Sequence, residues 1–267
     1  MKIAVMQFPG TNCEYECLVS VKEVGMDGEL FRWNRPAGEL SAFDGYIVPG
    51  GWSYADRIRA GAIASKEPVM DALREEAAKG KPIIGICNGF QILVESGLLP
   101  GTSGNGKIEM ALAQNTMIKD KKIVRRGYYV DWVSLRTEAS PKRCSGSFNL
   151  NKGDLLQIPI AHGEGNLVTM EKGLIEKLND EGQVVFRYCD SNGRIIPEFP
   201  VNVNGSTENI AGICNPEGNV LGMMPHPERA FFAWQLPPHD PRKHQLDATG
   251  PGRKIFESMK RYIEVSS

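Results

Sequence analysis

Residues 82–93 read PIIGICNGFQIL, an apolar β-branched run, a cysteine two residues from a glycine on either side, and then an apolar helical pattern. The spacing predicts a strand over Pro82–Ile86 that passes straight into a helix, with Cys87 at the junction. Gly85 and Gly89 leave room for a tight backbone turn and close packing of helix on strand. Such an elbow lifts the Cys87 sulfur out of the sheet and sets it at a helix N-terminus, where the positive end of the helix dipole favours an anionic sulfur.

Upstream, three further strands are expected over Lys2–Gln7, Glu29–Trp33 and Tyr46–Val48, alternating with helical patterns. One helix spans Glu14–Val24 and closes at Gly25; another spans Glu67–Lys79, carries Val69, Leu73 and Ala77 on one face, and stops at Gly80. Strands alternating with helices predict an α/β fold, a doubly wound, mostly parallel sheet flanked by helices. Downstream, from Lys107 to about Asn204, the pattern loosens into β-prone pieces such as Gly127–Leu135 and Val184–Tyr188, an additional β-rich portion. Asn209–Cys214 and Val220–Met224 flank NPEGN, which has the composition of a hairpin connection. A helix over Gly252–Val265, with Ile255, Met259, Tyr262 and Ile263 on one face, ends the chain. No repeat or linker interrupts it, and residues 1–267 are expected to form a single domain.

With 31 basic against 32 acidic residues the chain has no net field to hold a polyanion, so composition makes no case for nucleic acid or an anionic membrane. Its apolar runs are too short for a signal peptide or a membrane span. Six cysteines without a CxxC pair argue against a zinc ribbon or a disulfide framework, and fit a soluble, cytoplasmic protein with reduced thiols.

An acyl-transfer nucleophile needs donors for the oxyanion. The backbone N–H of Asn88 directly follows Cys87, and VPGG at 48–51 ends another expected strand, so that an N–H of Gly50 or Gly51 could supply the second. In MMPHPER, 223–229, His226 and Glu228 follow an apolar strand; proline is expected to hold the segment extended, so that residues two apart point the same way and Glu228 can orient the imidazole. Cys87, His226 and Glu228 then form a triad of nucleophile, proton shuttle and orienter. His162, in PIAHGEG, is a second candidate base, expected on a glycine-flanked loop and given no catalytic role; His239 and His244 read as solvated surface, and the cysteines other than Cys87 as core or incidental.

Together, FPGTNCE at 8–14, VPGGWSYADRIRAGAIA at 48–64, GICNGFQIL at 85–93, PIAHGEG at 159–165 and NIAGICNPEGNVLGMMPHPER at 209–229 closely resemble the glutaminase subunits of phosphoribosylformylglycinamidine synthase, class I glutamine amidotransferases of purine biosynthesis. The resemblance implies hydrolysis of glutamine to glutamate and delivery of ammonia to a large synthetase subunit, often through a complex with a small bridging subunit. That partner would use ATP and Mg to turn formylglycinamide ribonucleotide into the amidine; this chain itself would need no cofactor and no metal. Carried over by position, Cys87, His226 and Glu228 match the triad, Gly51 and Asn88 the oxyanion donors, and Gln91 a residue lining the glutamine site. The chain departs from the pattern at Trp52 and Ala55, where phenylalanine and glycine are common, in the 104–136 stretch, and in its length between 165 and 200 and near the C-terminus. Two other readings use the same residues: a stand-alone γ-glutamyl hydrolase, and a catalytically silent scaffold subunit.

Overall fold

A computed structural model describes residues 1–104, 106–245 and 247–266. Its centre is a nine-stranded mixed sheet. One half holds β1 (Lys2–Gln7), β2 (Asp27–Arg32), β3 (Gly45–Val48) and β4 (Ile83–Ile86), all parallel, in the order β2-β1-β3-β4. β3 and β4 are buried along their whole length, as expected of strands covered on both faces. Helices α1 (Glu14–Glu23), α2 (Pro68–Ala78) and α3 (Asn88–Glu95) link or follow these strands. The expected elements of this half are all present, with ends moved by one or two residues.

The β-rich portion continues the same sheet. Three short strands come first, β5 (Ala111–Ala113), β6 (Thr116–Lys119) and β7 (Lys122–Arg126), then β8 (Tyr129–Thr137), β9 (Leu155–His162) and β10 (Asn166–Val168). They are followed by α4 (Leu174–Asp180), β11 (Val184–Cys189), β12 (Ile210–Cys214), β13 (Val220–Met223) and α5 (Arg253–Ser266). β13 pairs parallel with β4 on one side and antiparallel with β12 on the other, and from it the sheet runs on as β12-β11-β8-β9, all antiparallel. β12 and β13 are the expected hairpin around NPEGN. β6 and β7 form a separate ribbon whose two-residue turn, Asp120 and Lys121, has φ of 49° and 59°, the paired positive values of the tight hairpin turn that matches strand twist.

α3 packs on β4 and β13 because glycine lines the contact. A Cβ at Gly89 would lie 1.8 Å from the Val48 carbonyl oxygen, and one at Gly222 would lie 2.0 Å from the Phe90 ring. Although β9 lies at the far edge of the sheet order, its Pro159 carbonyl accepts a 2.8 Å hydrogen bond from the His226 N–H just beyond β13. The sheet therefore curves until its edge strand returns to the end of its central one. Proline sits here without breaking a ladder, as edge strands allow. His162 is not on a loop, as its flanking glycine suggested: β9 alternates buried and part-exposed residues, and His162 is its last inward-facing position. None of the helices among the described residues is long and apolar enough to cross a membrane.

Candidate functional site

β4 delivers Cys87 into a sharp bend. Its backbone sits at φ 51°, ψ −107°, a conformation costly for any residue with a side chain and held here by its surroundings. The Cys87 N–H donates to the Met223 carbonyl at 2.8 Å, and the Cys87 carbonyl accepts from the Gln91 N–H at 3.1 Å, opening α3. Cys87 is 5% exposed, and its sulfur lies 3.8 Å from the Ala161 carbonyl oxygen of β9.

His226 follows β13 and is fixed by its bond to Pro159. Its Nδ1 lies 2.6 Å from Glu228 Oε1, with both residues buried. The expected extended segment is absent: Pro227–Ala230 forms a 3-10 turn, and the contact closes across that turn rather than along a strand. Gln235 donates to the Glu228 carbonyl at 3.1 Å and holds the turn. A Cβ built on Gly50 would lie 2.7 Å from His226 Cε1, 3.3 Å from Cys13 Sγ and 3.4 Å from Cys87 Cβ. The missing side chain is what lets these three residues gather. Burial opposes a charge on His226, but the Glu228 carboxylate and the Cys87 and Cys13 sulfurs outweigh it and hold the imidazole well above its ordinary value.

Cys13 is not incidental. Its sulfur lies 4.0 Å from His226 Nδ1 and accepts from Arg229 Nη2 at 3.1 Å, while burial pushes the thiol up. Cys13, His226 and Glu228 offer ligand atoms within 4.8 Å of one another. Their chemistry fits a hydrogen-bonded pair better than a metal, because the 2.6 Å His226–Glu228 contact occupies Nδ1 and burial keeps Cys13 protonated. The FPGTNCE motif marked this segment, but nothing in its spacing pointed to His226.

The chain leaves β3 through Pro49, Gly50 and Gly51. Gly51 has φ 149°, and a Cβ there would lie 2.7 Å from the Gly10 carbonyl oxygen. The Gly50 carbonyl accepts from the N–H groups of Asn12 and Cys13, both at 3.2 Å, which fixes the orientation of the Gly50–Gly51 peptide. Asn88 ties this loop to α3: its Oδ1 accepts from the Ser53 N–H at 3.0 Å and its Nδ2 donates to Gln91 Oε1 at 2.9 Å. Its own backbone N–H opens α3, where no intrahelical acceptor exists.

Gly51, Asp56, Cys87, Gln91, His162 and Glu164 line one cavity of about 110 Å³, with Trp52 and Tyr128 stacked at its side. Gln91 Nε2 donates to the Glu164 carbonyl at 2.6 Å. Burial and the neighbouring Glu164 push the Asp56 carboxyl up to about 6 against the pull of Asn88, a state that a cation in the cavity would relieve. Burial and the nearby His226 push His162 down to about 3, so its ring is neutral. Sequence reasoning missed Asp56 and Glu164, since acidic residues in loops carry no signal of their own. His162 was legible in the alternation of LLQIPIAH, which the proline masks.

The family model of the CobB/CobQ-like glutamine amidotransferase domain matches residues 1–263. The phosphoribosylformylglycinamidine synthase subunit PurQ of Methanothrix thermoacetophila is 69% identical over 99% of this chain and 98% of its own. That of Methanosarcina acetivorans is 44% identical over 98% of each. Among solved structures, PurLQS from Thermotoga maritima superposes with a TM-score of 0.72 at 32% identity, covering 98% of both chains. With matches that cover the chain almost from end to end, the chain belongs to the CobB/CobQ-like glutamine amidotransferases, in the branch of the PurQ subunits of phosphoribosylformylglycinamidine synthase.

Proposed function

We propose that this chain is the glutaminase subunit of phosphoribosylformylglycinamidine synthase, in which Cys87 opens the carboxamide of glutamine and the ammonia passes to a large synthetase subunit. The observation that carries the reading is the strained Cys87 at the strand–helix junction, set beside the buried His226–Glu228 pair. Cys87 Sγ, its proton passed to His226, attacks the carboxamide carbon, and the oxyanion is met by the N–H groups of Gly51 and Asn88. The C–N bond breaks as His226 gives its proton to the departing ammonia, leaving a γ-glutamyl thioester. Water, deprotonated by His226, then cleaves the thioester to glutamate and restores the thiol. Glu228 holds the imidazole and balances its charge.

The cavity, lined by Cys87, Gln91, Asp56 and Glu164, suits an amino acid whose carboxamide meets the thiol and whose ammonium group meets the carboxylates. Its small volume favours an unsubstituted amide over a bulky γ-glutamyl derivative. A PurL-type partner is supported by the likeness to PurLQS; ATP and Mg would act there, and a small bridging subunit would complete the assembly. Six free, buried cysteines fit a reducing, cytoplasmic setting.

The test is ammonia and glutamate release from glutamine by the chain assembled with a PurL-type subunit and its nucleotide substrates. Cys87→Ala should lower it by about 10⁴-fold or more while assembly persists. Undiminished release from that variant would sink the assignment.

A further inference from the structure

The buried carboxylate of Glu228 is only half served by hydrogen bonds. Its Oε1 meets His226 Nδ1 at 2.6 Å, but its Oε2 has no hydrogen-bond partner among the described residues. A carboxylate so placed depends on neighbouring positive charge, because taking it out of water is costly unless it is paired. Protonated His226 is one such charge. The 3-10 turn over Pro227–Ala230 brings another, Arg229, whose Nε lies 3.9 Å from Glu228 Oε1. Although its side chain is partly exposed, the guanidinium has a seat: Nη2 donates to Cys13 Sγ at 3.1 Å, and the Cys13 thiol donates to Asn12 Oδ1 at 3.1 Å. Burial pushes that thiol up, so the seat is neutral. A carboxylate at this place would cancel the cation locally, whereas a neutral sulfur leaves its charge to act on Glu228.

In the glutaminase reaction His226 takes a proton from Cys87, passes it to ammonia and takes another from water, so its ring alternates between cation and neutral base. Each time it is neutral, Glu228 loses that counter-charge. We infer that Arg229, seated on Cys13, is a second counter-ion to Glu228 that loosens the carboxylate's hold on the His226 proton. The inference rests on the glutaminase reading above, and makes Arg229 a positioning residue for the proton shuttle. The other groups that act on the ring or its two neighbours are Cys87 at the start of α3, Cys13 before α1, Glu16 and Cys17 within it, Tyr128 before β8 and His162 at the end of β9. His162, pushed down to about 3, is neutral, and the rest are acids. Of these groups Arg229 alone stays cationic in both states of His226.

The test is the titration of His226, followed by NMR of the ring carbon in the full chain labelled at histidine. Cys87→Ser serves as the parent, since it removes the thiol that titrates against the ring. Arg229→Gln and Arg229→Met should each raise the His226 midpoint by about half a pH unit or more, and Arg229→Lys should hold it within about 0.2 of the parent. Two neutral variants of different polarity keep the test open if one does not fold. Loosened packing would do the opposite: water entering beside the pair would bring the midpoint down toward the ordinary imidazole value. In the full complex with the thiol intact, first-turnover ammonia release by Arg229→Gln should slow about threefold to tenfold, with KM for glutamine within about twofold and Arg229→Lys recovering most of the rate. A midpoint that stays or falls in the neutral variants overturns the inference, and so does an equal rise in Arg229→Lys, which would assign the effect to shape rather than charge. Absence of ammonia release from the wild-type complex, with the midpoint rising as expected, would instead overturn the functional reading.

Discussion

The two halves of the sheet hold their share of the site by different means. In the parallel half, Cys87 is positioned by shape: Gly89 and Gly222 allow contacts that a single methyl would break, and the backbone of Cys87 is bent against its own preference. In the antiparallel half, His162 is positioned by hydrogen bonds among Asn115, Gly127 and Gly165, with its charge suppressed by burial. The first kind of order is steric and indifferent to pH; the second depends on who carries a proton. The His226–Glu228 pair, just past the strand shared by both halves, joins the two.

That contrast breaks most visibly at the joint. Glu228→Gln keeps the shape but removes the charge that holds the imidazole, and glutaminase activity of the complex should fall by about 10²- to 10⁴-fold. In the parallel half, Gly89→Ala should cost about 3 kcal/mol or more in denaturant unfolding, with a loss that is the same across pH because it is steric. In the antiparallel half the effect should follow pH. His162 has a folded value near 3 against an ordinary value of 6.5, so between these the unfolded chain binds the proton that the native ring refuses. Stability from this group is complete above about 6.5 and falls as pH drops toward 3, by at most about 1.4 kcal/mol per pH unit. Asp56, raised to about 6, works in the opposite direction between there and its ordinary 3.8. The difference between wild type and His162→Asn cancels Asp56 and should keep the histidine slope; a flat difference would mean that the two halves are not distinct in this respect. Smallest is Ala55→Gly. Ala55 has φ 56°, where the resemblance leads one to expect glycine, and the substitution should raise unfolding stability by about 0.5–1 kcal/mol.

The same contrast explains what could be read in advance. Shape leaves a mark in sequence: PIIGICNGFQIL shows both periods and the glycines between them, and the parallel strands and Cys87 stand where that pattern puts them. Hydrogen-bond networks leave little. Nothing in Asn115 or Gly165 announces that they meet 50 residues apart. The return of β9 to His226 is a consequence of sheet curvature, which no local pattern encodes. The His226–Glu228 contact was reached from a mistaken local geometry, because a two-residue spacing permits it in a turn as well as in an extended chain. Cys13 escaped because its partners, His226 and Arg229, lie more than 200 positions away.

Gly50 shows the same economy in reverse. It has no reactive atom, yet the room for a thiol, an imidazole and a second sulfur to converge is the space its side chain would have filled. A survey of this protein by reactive groups alone would pass over the position. One added carbon there would push apart the imidazole and both sulfurs while leaving each of them in the chain, which makes absence at this residue as much a part of the site as the thiol itself.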